Sequence, residues 1–159
     1  MSSCCCPGQT DAPTASRCPV SGSQGTPVDL LTVKALLTED ALRRLALREY
    51  WFCPDAECDV VYFADGERFI TTDVRVPVWQ KLPFGTRPIC YCFGESEGSI
   101  RTEIERDGAS KAVERVREHI AAERCACELR NPRGSCCLGD VIATVKRVET
   151  FILSASTER

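Results

Sequence analysis

Of histidine and methionine the sequence has one residue each, and of tryptophan two. One histidine, His119, cannot build a histidine-rich metal centre. No Ser-His-Asp set, phosphate-cradling glycine loop or carboxylate pair stands beside it, so an organic active site has no support. Neither sign of charge prevails: 20 Lys and Arg against 23 Asp and Glu give a formal net charge of -3, with the basic residues interleaved among acidic ones. Nucleic acid is therefore not an expected partner. No apolar run reaches the roughly eighteen residues of a membrane helix. The start Met1-Ser-Ser-Cys-Cys-Cys-Pro7 also lacks the basic-then-apolar order of a signal peptide. The expectation is a soluble cytoplasmic protein without membrane insertion. A length of 159 residues allows one domain or two very small ones and excludes a large enzyme.

What the chain has in quantity is cysteine, twelve in all. In a reducing cytosol such thiols stay free unless a metal or cluster holds them, so ligation is expected over a disulfide framework.

Along the chain, residues 1–27 carry almost no large apolar side chains and cannot offset their ordering entropy without a metal. Residues 1–17 are expected as a flexible, cysteine-bearing segment. Val28, Leu30 and Leu31 suggest a short strand or turn, and Thr38-Glu39-Asp40 opens a helix through about Leu47. The aromatic and β-branched runs 49–53 and 59–63 flank Cys53-Pro-Asp-Ala-Glu-Cys58, as two strands would flank a metal knuckle. Asp65-Gly66 turns the chain into Arg68-Phe69-Ile70, and a further strand is expected over 74–78. Pro83, Gly85 and Pro88 mark a linker, with the boundary between units at 80–88.

The second unit reads as helical. Ser96 or Ser99 opens a helix that stops at Asp107-Gly108, Ser110 opens another, and a third starts near Cys137. The fold class is therefore α+β: a small zinc-stapled β-rich unit over 18–80, a small helical unit over 88–150, and a tail over 151–159 that frays from Ser154 to Arg159.

Cys90-Tyr-Cys92 leaves the linker, and after two helices come Cys125-Ala-Cys127 and Cys136-Cys137. Thiolates near helix starts can be stabilised by unpaired amides, which suits a small iron-sulfur assembly. Spacing alone leaves the ligand choice open. The stretch resembles the bacterioferritin-associated ferredoxin family, in which a Cys-x-Cys pair and a later cysteine pair bind a 2Fe-2S cluster. It is more similar still to the N-terminal domain of the CopZ-type iron-sulfur copper chaperones, through Pro88-Ile-Cys-Tyr-Cys-Phe-Gly94 and Cys127-Glu-Leu-Arg-Asn-Pro-Arg-Gly-Ser-Cys-Cys-Leu-Gly139. That resemblance implies cluster ligation by Cys90, Cys92, Cys127 and Cys137, with Cys125 and Cys136 as auxiliary thiols. A four-cysteine structural zinc site is the alternative.

Cys53 and Cys58 make half of a tetrahedral site, and Cys18-Pro-Val-Ser-Gly22 stands where the second knuckle would be. The CopZ-type domains resemble this region through Trp51-Phe-Cys-Pro-Asp-Ala-Glu-Cys-Asp-Val-Val-Tyr-Phe63, and similar domains place zinc there with an earlier Cys-Pro-x-Cys element. Here Ser21 takes the second position of that element. The expected zinc ligands are Cys18, Cys53, Cys58 and Cys5, with Cys4 and Cys6 as alternatives to Cys5. Failing all three, an exchangeable position would accept Cu(I) or Hg(II). The Met-x-Cys-x-x-Cys motif of the attached copper-binding domain is missing, since Met1 is the one methionine.

His119 is expected on a helix surface, and Trp51, Tyr62 and Phe63 in the core. Arg130 and Arg133 suit either a solvated loop or an acidic partner. The resemblance to the CopZ-type domains implies a redox-capable accessory in copper or mercury handling that serves a metal-transport or redox protein. Any catalysis is limited to one-electron reduction of Cu(II). A zinc-organised adaptor and a general small ferredoxin are the alternatives.

Overall fold

A computed structural model describes residues 16–158. Four strands, β1 (Thr26–Val28), β2 (Tyr50–Phe52), β3 (Val60–Ala64) and β4 (Glu67–Ile70), pair antiparallel in sequence order. Trp51 stands opposite Phe63, and Phe52 opposite Tyr62. The pleat then sends alternate side chains to opposite faces, except at a bulge between Val60 and Tyr62 that turns Val60 to the face opposite Tyr62. Phe52, Tyr62 and Phe69 meet Val33, Leu36, Leu37 and Ala41 of two short helices and the turn between them, α1 (Leu30–Leu36) and α2 (Glu39–Arg43). Val60 and Phe63 turn the other way and pack with Cys18, Cys53 and Cys58. Both faces of the sheet are thus covered, which is why every residue of β3 is buried.

The second unit begins with a small hairpin, β5 (Pro88–Cys90) and β6 (Glu95–Ser96). It continues through α3 (Glu97–Asp107), α4 (Ala112–Ala121), α5 (Cys127–Arg130) and α6 (Leu138–Thr157). Ser96 caps α3 by accepting from the Ser99 amide, and Gly108 ends it in a left-handed conformation. Ile89, Ile100, Ile104, Val116 and Val141 form the core of this unit. Arg115 clamps it from outside, pairing with Glu95 at 2.7 Å and Glu103 at 2.9 Å. The mixed α+β architecture agrees with expectation. No helix among the described residues is long and apolar enough to cross a membrane.

The two cores are separate but joined. Helix α5 packs on α1. Tyr62 Oη donates to the Pro132 carbonyl at 2.6 Å, and Tyr91 Oη donates to the Pro77 carbonyl at 2.6 Å. Gly134 lies so close to α1 that a Cβ there would sit 2.9 Å from Thr32 Oγ1.

Several local expectations are corrected. Leu30 and Leu31 begin α1, since the Asp29 side chain accepts from the Leu31 amide and caps a helix. Helix α2 stops at Arg43, short of Leu47. Beyond it the Ala46 amide donates to Glu67 and its carbonyl accepts from Tyr50, so neither serves a helix. Residues 74–78 form no strand. Val74 makes a single bridge with Leu37, and Pro77 has no amide to extend it. Helix α6 runs on to Thr157, so the expected tail is helical to that point. The short elements β5, β6 and α5 were not expected.

Candidate metal centres

The first centre is laid onto the sheet. Residues 16–25 form a tight hairpin in which the Cys18 amide donates to the Ser23 carbonyl at 2.9 Å and the Gly25 amide to the Ser16 carbonyl at 2.8 Å. Gly25 lets this hairpin lie flat, because a Cβ there would fall 2.6 Å from the Phe63 ring and 2.7 Å from Trp51 Cβ. The second knuckle extends the β2–β3 pairing, with the Cys53 amide donating to the Val61 carbonyl at 2.9 Å. Asp55 then folds the chain back to Cys58 by accepting from the Glu57 amide.

These two turns bring Cys18, Cys53 and Cys58 together, with all three sulfurs within 4.8 Å of one another and all three residues buried. Cys18 and Cys58 are 3.8 Å apart. A tetrahedral zinc with Zn–S of about 2.3 Å has S···S edges of about 3.8 Å, so the donor set fits that ion. Burial opposes ionisation of Cys18, but hydrogen bonds from Ser21, the Val20 amide and Cys53 prevail, and its thiol falls below its ordinary value. Burial pushes the Cys58 thiol up despite a hydrogen bond from the Val60 amide. Ser21 Oγ lies 3.6 Å from Cys53 Sγ. Cys5, expected as the fourth ligand, and its alternatives Cys4 and Cys6 lie outside the described residues.

In the second unit, Cys90 and Cys92 sit in the hairpin turn, which Gly94 closes at a φ of 73° by donating to the Cys90 carbonyl. Cys127 opens α5, and Cys137 takes the position before the first turn of α6. The four thiols meet as two pairs. Cys92 and Cys127 are 3.8 Å apart, and Cys90 and Cys137 interact so as to shift each other's ionisation in opposite directions. Unlike the first centre, this set does not gather three sulfurs within 4.8 Å of one another. Two separate pairs suit two metal ions, one per pair, rather than a single tetrahedral ion.

Amides converge on these sulfurs. Ala126 N–H donates to Cys92 Sγ at 3.3 Å. The hydrogen bond from Cys137, joined by the Phe93 and Cys92 amides, outweighs burial and brings Cys90 down to about 6. Its partner Cys137 is driven up by that same hydrogen bond and by burial. Burial raises Cys127 to about 12 against a hydrogen bond from the Cys137 amide. Such an array holds thiolate at one sulfur and resists it at the next until a cation balances the charge. Cys125 is half-buried and Cys136 exposed, outside the two pairs but near them.

The remaining expectations resolve as follows. His119 lies on α4 and stacks on Phe93, with ring centroids 3.6 Å apart. Tyr62 and Phe63 are core, and Trp51 stacks on Phe63. Arg133 is engaged with Asp140 at 2.5 Å, while Arg130 is exposed. Amides at helix starts were expected to stabilise these thiolates, but α5 was not expected, so Ala126 was not named among them. Backbone donors carry no residue signal, and only the position of a helix start could have suggested it.

A CopZ-type family model described as a zinc binding domain matches residues 15–75. A copper chaperone CopZ of Archaeoglobus fulgidus is 31% identical over 121 residues, covering 76% of this chain and 57% of that protein. The chain thus matches little more than half the length of that relative. Among solved structures, the X-ray structure of the Archaeoglobus fulgidus CopZ N-terminal domain aligns at 30% identity with a TM-score of 0.67, covering 80% of this chain and 95% of that one.

Proposed function

The chain belongs to the family of the CopZ N-terminal domain, and from that premise we propose that it is a cytoplasmic zinc- and 2Fe-2S-binding accessory protein of copper or mercury handling. In this reading residues 18–80 are the zinc unit, with Cys18, Cys53 and Cys58 as ligands. Residues 88–150 are the cluster unit, similar to a bacterioferritin-associated ferredoxin, with Cys90, Cys92, Cys127 and Cys137 as ligands. The observation that carries it is the close approach of Cys92 and Cys127, at 3.8 Å, with Cys90 and Cys137 in the same core, against the single tight triad of the first centre.

A bound cluster would supply one-electron transfer. The residues around it position and tune the sulfurs. The Ala126 amide donates to Cys92, and the Phe93 and Cys92 amides donate to Cys90, which together stabilise negative charge on sulfur. Cys125 and the exposed Cys136 offer soft donors at the edge of the site, where Cu(II) accepting one electron would be kept as Cu(I) until a transport partner takes it.

Metal and sulfide analysis of protein purified without oxygen tests the inventory: two irons, two sulfides and one zinc per chain are expected. A colourless protein with zinc alone would favour the adaptor role. The redox role is tested by mixing chemically reduced protein with one equivalent of Cu(II). The paramagnetic signal of the reduced protein should vanish as Cu(I) appears in proportion, without disulfide. Cysteine oxidation with the signal intact would remove the redox role.

A further inference from the structure

Among the described residues the first centre offers three thiols, and the oxygen nearest to them has a defined geometry. With Zn–S at about 2.3 Å and Zn–O at about 2.1 Å, a regular tetrahedron has S···S edges of about 3.8 Å and S···O edges of about 3.6 Å. Cys18 Sγ and Cys58 Sγ are 3.8 Å apart, and Ser21 Oγ is 3.6 Å from Cys53 Sγ. The hydroxyl therefore stands at the separation that an oxygen ligand on the same ion would have. Ser21 is held there from behind, since its Oγ accepts from the Ser23 amide at 3.2 Å and the turn is closed by the Gly22 amide donating to the Cys18 carbonyl at 2.9 Å. The three thiols are buried, whereas Ser21 is only half-buried and its neighbour Val20 is exposed, so the oxygen vertex is the side that faces solvent.

We propose that Ser21 gives this centre a three-sulfur, one-oxygen shell whose fourth position is open to a small-molecule thiolate. The inference rests on the zinc reading of Cys18, Cys53 and Cys58. A neutral hydroxyl, or a water that it holds, binds zinc more weakly than thiolate does, and a site with three thiolates carries one negative charge fewer than one with four. Both features let an incoming thiolate displace the oxygen. The zinc ion and its three protein sulfurs stay in place, and no electron changes hands. The outcome is a ternary complex on a site that a fourth cysteine would have closed.

X-ray absorption at the zinc edge tests this in the full chain, because sulfur at about 2.3 Å and oxygen at about 2.0–2.2 Å form distinct shells. Expected are three sulfurs and one oxygen as purified, and four sulfurs after addition of excess mercaptoethanol. Ser21→Cys should show four sulfurs from the start, should not respond to the thiol, and should yield zinc to a chelator about tenfold more slowly or slower still. Ser21→Ala should keep three sulfurs and still respond. Four sulfurs in the untreated protein would overturn the proposal, and loss of one of them in a Cys4→Ser, Cys5→Ser, Cys6→Ser triple variant would assign the vertex to an N-terminal thiol. Three sulfurs and one oxygen unchanged by mercaptoethanol would also overturn it. Absence of zinc from the untreated protein would remove the zinc reading itself.

Discussion

The two thiol sets differ in what holds them. Cys53 and Cys58 are anchored to the β2–β3 pairing, and Cys18 lies on a hairpin that Gly25 presses onto Phe63, so the triad inherits the rigidity of a sheet buried on both faces. The second set draws its sulfurs from a β-turn and from two helix starts separated by a loop, and that loop is tied by Asn131 to Ser135, by Arg133 to Asp140, and to the other unit by the hydrogen bond from Tyr62. A preformed sheet site suits one ion kept in place. A site assembled from turns and helix ends surrounds its sulfurs with amides and leaves thiols at its edge, as exchange or electron transfer would need.

The largest effect that would break this contrast is loss of the triad. Cys53→Ser and Cys58→Ser should each release zinc and unfold the β-rich unit, since metal binding of order 10 kcal/mol is part of the folding energy of so small a core. Circular dichroism and zinc content check it. A variant with full zinc and native thermal behaviour would show that the sheet alone is sufficient.

Next in size is the helical unit, for which we propose a cluster. Cys90→Ser, Cys92→Ser, Cys127→Ser and Cys137→Ser should each bleach the visible absorption, while Cys125→Ser and Cys136→Ser should leave it largely intact. Iron and sulfide content alongside the spectrum distinguish lost ligation from altered colour. A reversal within either later pair would move the ligand roles to Cys125 or Cys136 and keep the contrast with the triad.

Much of this contrast was legible in the sequence where chemistry is local. The aromatic runs on either side of Cys53 and Cys58 marked the strands, and Ser96 or Ser99 with Gly108 marked both ends of α3, while spacing left the choice among the thiols open. Less legible was whatever depends on tertiary contact. Leu30-Leu31 follows a capping Asp29, but a helix of seven residues has too weak an apolar period to stand out. Val74 to Val78 has strand-like side chains, yet finds a single bridge partner. Ser21 was visible as a departure from Cys-Pro-x-Cys, but only the folded hairpin places its oxygen 3.6 Å from a sulfur.

A smaller change addresses the junction. Gly134 adopts a φ of 73°, and a Cβ there would meet Thr32 Oγ1 at 2.9 Å, so Gly134→Ala meets both backbone strain and a clash with α1. A loss of about 1–3 kcal/mol is expected in denaturant unfolding. If the cluster loop is the more loosely held site, iron should be released faster in this variant while zinc release is unchanged. Equal acceleration of both would mean that the two centres share one rigid body.

The smallest effect concerns Arg115, which belongs to the helical unit alone. Its hydrogen bonds hold the Glu103 carboxyl at about 2, below the ordinary 4.5, against the opposing effect of burial and with help from the Lys111 amide and Ser110. A carboxylate depressed in the folded state contributes stability above its unfolded value and loses it as the pH falls through the folded one. The window runs from about pH 5 down to about 2. Glu103→Gln should therefore be less stable than the parent at neutral pH, by a margin that shrinks toward zero across that window. Thiolate protonation also releases metal in acid, but it does so in both proteins, so the difference between them isolates the carboxylate. Followed by the absorbance of the helical unit and by zinc release separately, the margin should appear in the first signal and not in the second. A margin of equal size in both would show that the ion pair stabilises the molecule as a whole.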